Sequence, residues 1–141
     1  MTTPATETRT LVIEKTFPQP PQKVWRALTE SPLIARWLLN NDFEPSPGHK
    51  FQFRSEPVPG WNGIIDCEVL NVDPLKQLSY TWASMGLETV VLFTLTPSGG
   101  GTLLRMEQSG FGPDYEHAYK GATYGWQNFL GTLEKVVADL Q

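Results

Sequence analysis

The residues that ordinarily carry chemistry are few and scattered in this chain. Its histidines are His49 and His117, and its one cysteine is Cys67. Neither histidine stands at ligand spacing from a cysteine or a carboxylate, so no metal site is expected. There is no Gly-x-Ser-x-Gly turn, phosphate-binding glycine loop or dinucleotide fingerprint, and no Ser-His-Asp order. Asp66, Glu68 and Glu107 fall on the solvent face of alternating segments, with Arg54 and Arg105 available as partners; a solvated ion-pair face is expected there. No reaction and no cofactor are named by these residues. What the sequence holds in excess is aromatic: Trp25, Trp37, Trp61, Trp82 and Trp126. Such rings suit a concave, mostly apolar ligand site, or simply a core.

The elements that must position them follow from periodicity. Residues 113–140 read as one long amphipathic helix, with Tyr115, Tyr119, Ala122, Trp126, Phe129, Leu130, Leu133, Val137 and Leu140 on one face. Gly121, Gly125 and Gly131 oppose it by roughly 1 kcal/mol each. Burial of Phe129, Leu130 and Leu133 returns about 1.5–3 kcal/mol per side chain, so the helix stands against an apolar partner surface. Gly121 and Gly125 border that face and either make room for a ligand or admit the sheet closely, the second being the expectation. Upstream, residues 9–17 read as a strand stopped by Pro18, Pro20 and Pro21. Pro21 then opens a helix to Thr29. Ser31 as N-cap and Pro32 open a second helix to about Leu39, broken by Asn40-Asn41-Asp42. Strands follow at 50–54, 63–72, 77–83, 87–96 and 102–109. Short connections and in/out alternation imply an antiparallel sheet covered on one face, hence a two-layer α+β domain of about six strands.

The chain has 141 residues, 40% hydrophobic and 18% charged, which fits one folded domain over residues 9–141 behind a flexible lead-in at 1–8. Its net charge of −4 argues against a nucleic-acid partner. The polar start lacks a signal peptide's apolar run, and no stretch approaches a membrane span, so a cytoplasmic monomer or homodimer is expected.

Three groups of residues resemble one known branch. They are Phe17, Pro20, Pro21, Val24, Trp25 and Ala27 with Ala35 to Leu38; Gly63, Val69, Asp73, Pro74, Leu78 and Trp82; and Ser109, Gly110, Phe111 with Gly125, Trp126, Phe129, Leu130 and Leu133. Together they resemble the START-like (SRPBCC, helix-grip) superfamily. The finer likeness is to the C-terminal domain of the heat-shock-protein-90 ATPase activator, over about residues 11–140. The resemblance implies a curved sheet gripping a long C-terminal helix around a cavity. It leaves function open, because the fold hosts carriers, receptors, cyclases and co-chaperone modules. Gln108 stands where the branch often has a histidine.

The expected function is binding or sensing of a hydrophobic small molecule between sheet and helix. Phe53, Tyr80, Trp82, Phe93, Met106, Gln108, Tyr119 and Trp126 are the expected lining, with Trp37, Trp61 and Phe111 near the mouth. The alternatives are a chaperone-associated interaction protein and a cyclase- or hydrolase-type enzyme using the same cavity.

Overall fold

The computed structural model describes residues 9–140; the lead-in expected at residues 1–8 lies outside the described residues. β1 (Arg9–Phe17) precedes α1 (Pro21–Thr29) and α2 (Ser31–Trp37). Then come β2 (Asn40–Asn41), β3 (Lys50–Arg54), β4 (Ile64–Asp73), β5 (Gln77–Ser84), β6 (Leu87–Ser98), β7 (Gly101–Phe111) and α3 (Glu116–Asp139). The strands form one antiparallel sheet in the order β1-β7-β6-β5-β4-β3-β2. This is the helix-grip α+β architecture, with seven strands where about six were expected. No helix among the described residues is long and apolar enough to cross a membrane.

The additional strand is β2, which the sequence disguises as a helix break. Asn40 pairs with Arg54 and Asn41 with Phe53. The Asn41 amide donates to the carbonyls of Ser31 and Leu39 and accepts from the Phe43 N–H, so a turn-forming side chain here ties an extended backbone in place. Ser31 is also not the N-cap; Glu30 is, without a side-chain cap bond, and the Ser31 hydroxyl donates to Asn41 O. Pro21 opens α1 as expected.

Alternation decides which strand residues face the helices. Along β6, Thr89, Val91, Phe93 and Leu95 are buried while Glu88, Val90, Leu92 and Thr94 are not. On the outer face Arg105 pairs with Glu14 at 3.2 Å and with Glu107 at 3.3 Å, and Arg54 pairs with Asp42 at 3.7 Å. These exposed pairs contribute little individually. Gln52 donates to Asp66 instead of leaving it for an arginine.

The buried core lies under β3–β7 and is closed by α1, α2 and the C-terminal half of α3. In that half Trp126, Leu130, Leu133, Val136 and Val137 are buried, whereas no residue from Glu116 to Gly125 is. Burying the four aliphatic side chains is worth about 1.5–3 kcal/mol each, against roughly 1 kcal/mol for each of the three glycines. The packed end of α3 therefore supports its loosely packed beginning. Lys15 to Glu134 at 3.3 Å and Arg36 to Asp139 at 3.7 Å add exposed ties from β1 and α2.

Candidate ligand-binding site

Where α3 is not packed, there is a hollow. A cavity of about 560 Å³ lies between the first half of α3 and the ends of β5, β6 and β7. Its helix side is Ala118, Gly121, Ala122, Gly125, Trp126 and Phe129. Its sheet side is Trp82, Ser84, Leu87, Gln108 and Phe111, and the rim adds Met85, Asp114, Tyr115 and His117.

The helix side explains why the space exists. Ala118, Gly121, Ala122 and Gly125 recur at helical spacing and continue the line that Trp126 and Phe129 carry onward. The stripe is thus small at one end of the helix and large at the other. A Cβ built at Gly121 would meet nothing within 4 Å, and one at Gly125 would only touch the Phe129 ring at 3.9 Å. The expectation that these glycines let the sheet approach closely is therefore corrected: they front open space.

The sheet side is held by a chain of hydrogen bonds. The Trp126 indole N–H donates to Gln108 Oε1 at 2.8 Å, Gln108 Nε2 donates to Thr89 Oγ1 at 2.9 Å, and the Thr89 hydroxyl donates to Trp82 O at 2.9 Å. An indole nitrogen can only donate, so it fixes which end of the Gln108 amide faces the helix. Gln108 is 2% exposed, and an unpaired amide there would cost about 1–3 kcal/mol. The bond therefore sets the height of Trp126 above β7. It also uses the interior carbonyl, so the inner wall of the hollow presents mainly carbon.

Rings make up that wall. Trp126 lies 5.3 Å from Trp82 and 5.7 Å from Phe129, centroid to centroid. At the rim, the β5–β6 turn places Met85 at φ 54° and Gly86 at φ 82°, the two-residue hairpin geometry with both central residues left-handed. That left-handed position is sterically disfavoured for methionine, yet the turn holds Met85 there, 70% exposed beside the cavity mouth. The opposite rim is tied down by Arg9, whose guanidinium pairs with Glu116 and sits 3.9 Å over the Tyr119 ring. Phe111 meets that same ring edge-on at 5.4 Å.

The expected lining residues separate into two groups. Trp82, Gln108, Phe111 and Trp126 border the cavity. Phe53, Tyr80, Phe93 and Met106 lie in the solid core behind Trp126, all at most 2% exposed. Trp37, expected near the mouth, is also buried: its ring packs 6.5 Å from Trp126 and its indole donates to Ala27 O at 2.8 Å. Trp61 is half-buried away from the cavity, donating to Ile64 O, and Tyr119 stands beside it in the Arg9–Phe111 contact. Met85, Leu87, Phe129 and the small residues of α3 also border the cavity. The signal for them was present in the small-residue spacing before Trp126.

Burial acts on two groups of the solid core. It pushes the Tyr80 hydroxyl well above its ordinary range, the neighbouring Cys67 adding a little, and it pushes the Cys67 thiol up, with Asp66 and Asp42 adding to the effect. Both are held as neutral packing groups. Among the described residues, no group of three or more His, Cys, Asp and Glu could hold a metal ion.

Comparison with known proteins places this geometry. Residues 18–138 match the family model described as Activator of Hsp90 ATPase homolog 1-like protein. Protein MLL2253 from Mesorhizobium loti is similar at 48% identity and TM-score 0.88, covering 94% of this chain and 99% of that one. Protein BH1534 from Bacillus halodurans is similar at 27% identity and TM-score 0.77, covering 92% and 96%. CalU16 from Micromonospora echinospora, at 24% identity and TM-score 0.79 over 99% of this chain and 82% of its own, shares the fold. No curated protein matches the sequence.

Proposed function

The chain belongs to the family of Activator of Hsp90 ATPase homolog 1-like proteins, and from that premise we propose that it binds a hydrophobic small molecule between α3 and the sheet. The observation that carries the reading is the small-residue stripe of Ala118, Gly121, Ala122 and Gly125 fronting a cavity of about 560 Å³. A helix that accepts two glycines there gives up stability for space. The apolar body of the ligand lies against Trp82, Trp126 and Phe129, and its polar end points to the rim, because the inner amide of Gln108 is already bonded. Burying roughly 200 Å² of apolar ligand surface, about one aromatic side chain's worth, contributes on the order of 5 kcal/mol before association costs. Micromolar affinity needs about −8 kcal/mol net, so a ligand that binds at micromolar level is larger than one ring.

Titration of the chain with a panel of lipids, sterols and polycyclic aromatics, read by tryptophan fluorescence and melting temperature, tests this. The expected result is a saturable change in both signals for at least one class. Flat signals across the panel would remove the reading. The family description also supports a chaperone partner. That second reading requires capture of the chaperone by this chain and faster ATP hydrolysis; no binding at tens of micromolar removes it.

A further inference from the structure

The cavity has a charge asymmetry that narrows its ligand. Its lining includes one carboxylate, Asp114, and no lysine or arginine. Two cations on that side are already engaged: Arg9, from β1, and Lys120, on α3, both pair with Glu116. Among the described residues no ion pair involves Asp114. Unbonded amides at the start of α3 would favour an anion with about half a charge, and the full charge of Asp114 beside them outweighs that. The inner wall is aromatic, with Trp82 and Trp126 at 5.3 Å and Trp126 and Phe129 at 5.7 Å. Tyr115 adds a further ring at the rim beside Asp114. A carboxylate and an aromatic ring at one rim attract a cation, and the carboxylate repels a fatty acid or other carboxylate.

Resting on the ligand-binding reading above, we propose that the site selects a hydrophobic ammonium compound, its apolar body against Trp82, Trp126 and Phe129 and its cationic head between Asp114 and Tyr115. The test uses three probes of equal chain length: octyltrimethylammonium, octanol and octanoate. Each is titrated by calorimetry, below its micelle concentration, at pH 8. The expected result is binding of octyltrimethylammonium about tenfold or more tighter than octanoate, with octanol between. Asp114→Asn is expected to bring the ammonium and carboxylate within about threefold of each other. Asp73→Asn, at the last residue of β4, which pairs with Gln77 at the opposite end of β5 from Ser84, controls for the net charge of −4 and leaves the ratio unchanged. Octanoate or octanol binding as tightly as the ammonium, or a ratio untouched by Asp114→Asn, overturns the selectivity and leaves the cavity reading standing. Absence of binding by all three, with flat signals across the lipid and aromatic panel, removes both.

Discussion

The two halves of α3 lie over the same sheet and are built for opposite ends. From Trp126 to Val137 the buried stripe is large and fills its space; from Ala118 to Gly125 it is small and leaves a hollow. Both halves obey the same helical periodicity, so the difference lies in side-chain volume. The contrast shows that a cavity in this fold need not be carved from the sheet. It arises where a helix anchored at one end carries residues too small to reach its partner at the other. The solid half stabilises the chain, and the hollow half is where something else can bind.

The largest expected effect comes from breaking the solid half. Leu133 is fully buried, and Leu133→Ala is expected to cost about 2–5 kcal/mol in urea unfolding. A loss below about 1 kcal/mol would mean that this half is not the anchor. The next effect is a pH dependence confined to the solid side. Tyr80 and Cys67 keep their protons when folded, because burial raises both, whereas in the unfolded chain they ionise near their ordinary values of 10.0 and 9.0. The unfolded state therefore binds fewer protons above that range. Stability is full below about pH 9 and falls as pH rises, by up to about 1.4 kcal/mol per pH unit for each group. Tyr80→Phe is expected to make this alkaline decline shallower, and equal slopes in the two proteins would contradict the assignment.

A smaller effect sharpens the comparison, because the same substitution can be made in both halves. Neither Gly121 nor Gly131 has an atom within 4 Å of a built Cβ. Gly121→Ala and Gly131→Ala are each expected to stabilise the chain by about 0.5–1 kcal/mol, through helix propensity and a less flexible unfolded state. Only Gly121→Ala intrudes on the cavity, so it alone is expected to weaken ligand binding. Equal binding by the two variants would separate the cavity from the site.

Much of this was legible in the sequence. The order of elements, the antiparallel sheet and the inward face of Trp126 follow from period-2 and period-3.6 patterns, which report direction. Those patterns do not report how far apart two faces stand. Tyr80 and Phe93 point inward as expected, and Trp37, expected near the mouth, joins them. Tyr80 packs on Phe93, and Phe93 and Trp37 pack on each other and on Trp126, because a ring facing the interior fills whatever volume the neighbouring backbone leaves. β2 was hidden for a different reason: Asn41 uses its side chain to hold an extended backbone, and local propensity reads asparagine as a turn. The small-residue spacing from Ala118 to Gly125 was visible, but its meaning depends on whether the facing strand ends approach or stand off.

The most direct measurement is the set of tryptophan indole N–H resonances during titration with a bound hydrophobic probe. Trp82 and Trp126 border the hollow, while Trp25, Trp37 and Trp61 lie elsewhere. Saturable shifts concentrated in Trp82 and Trp126, with the other three nearly still, are the predicted result. Shifts led by Trp37 or Trp61, or spread evenly over all five, would contradict binding beneath the first half of α3.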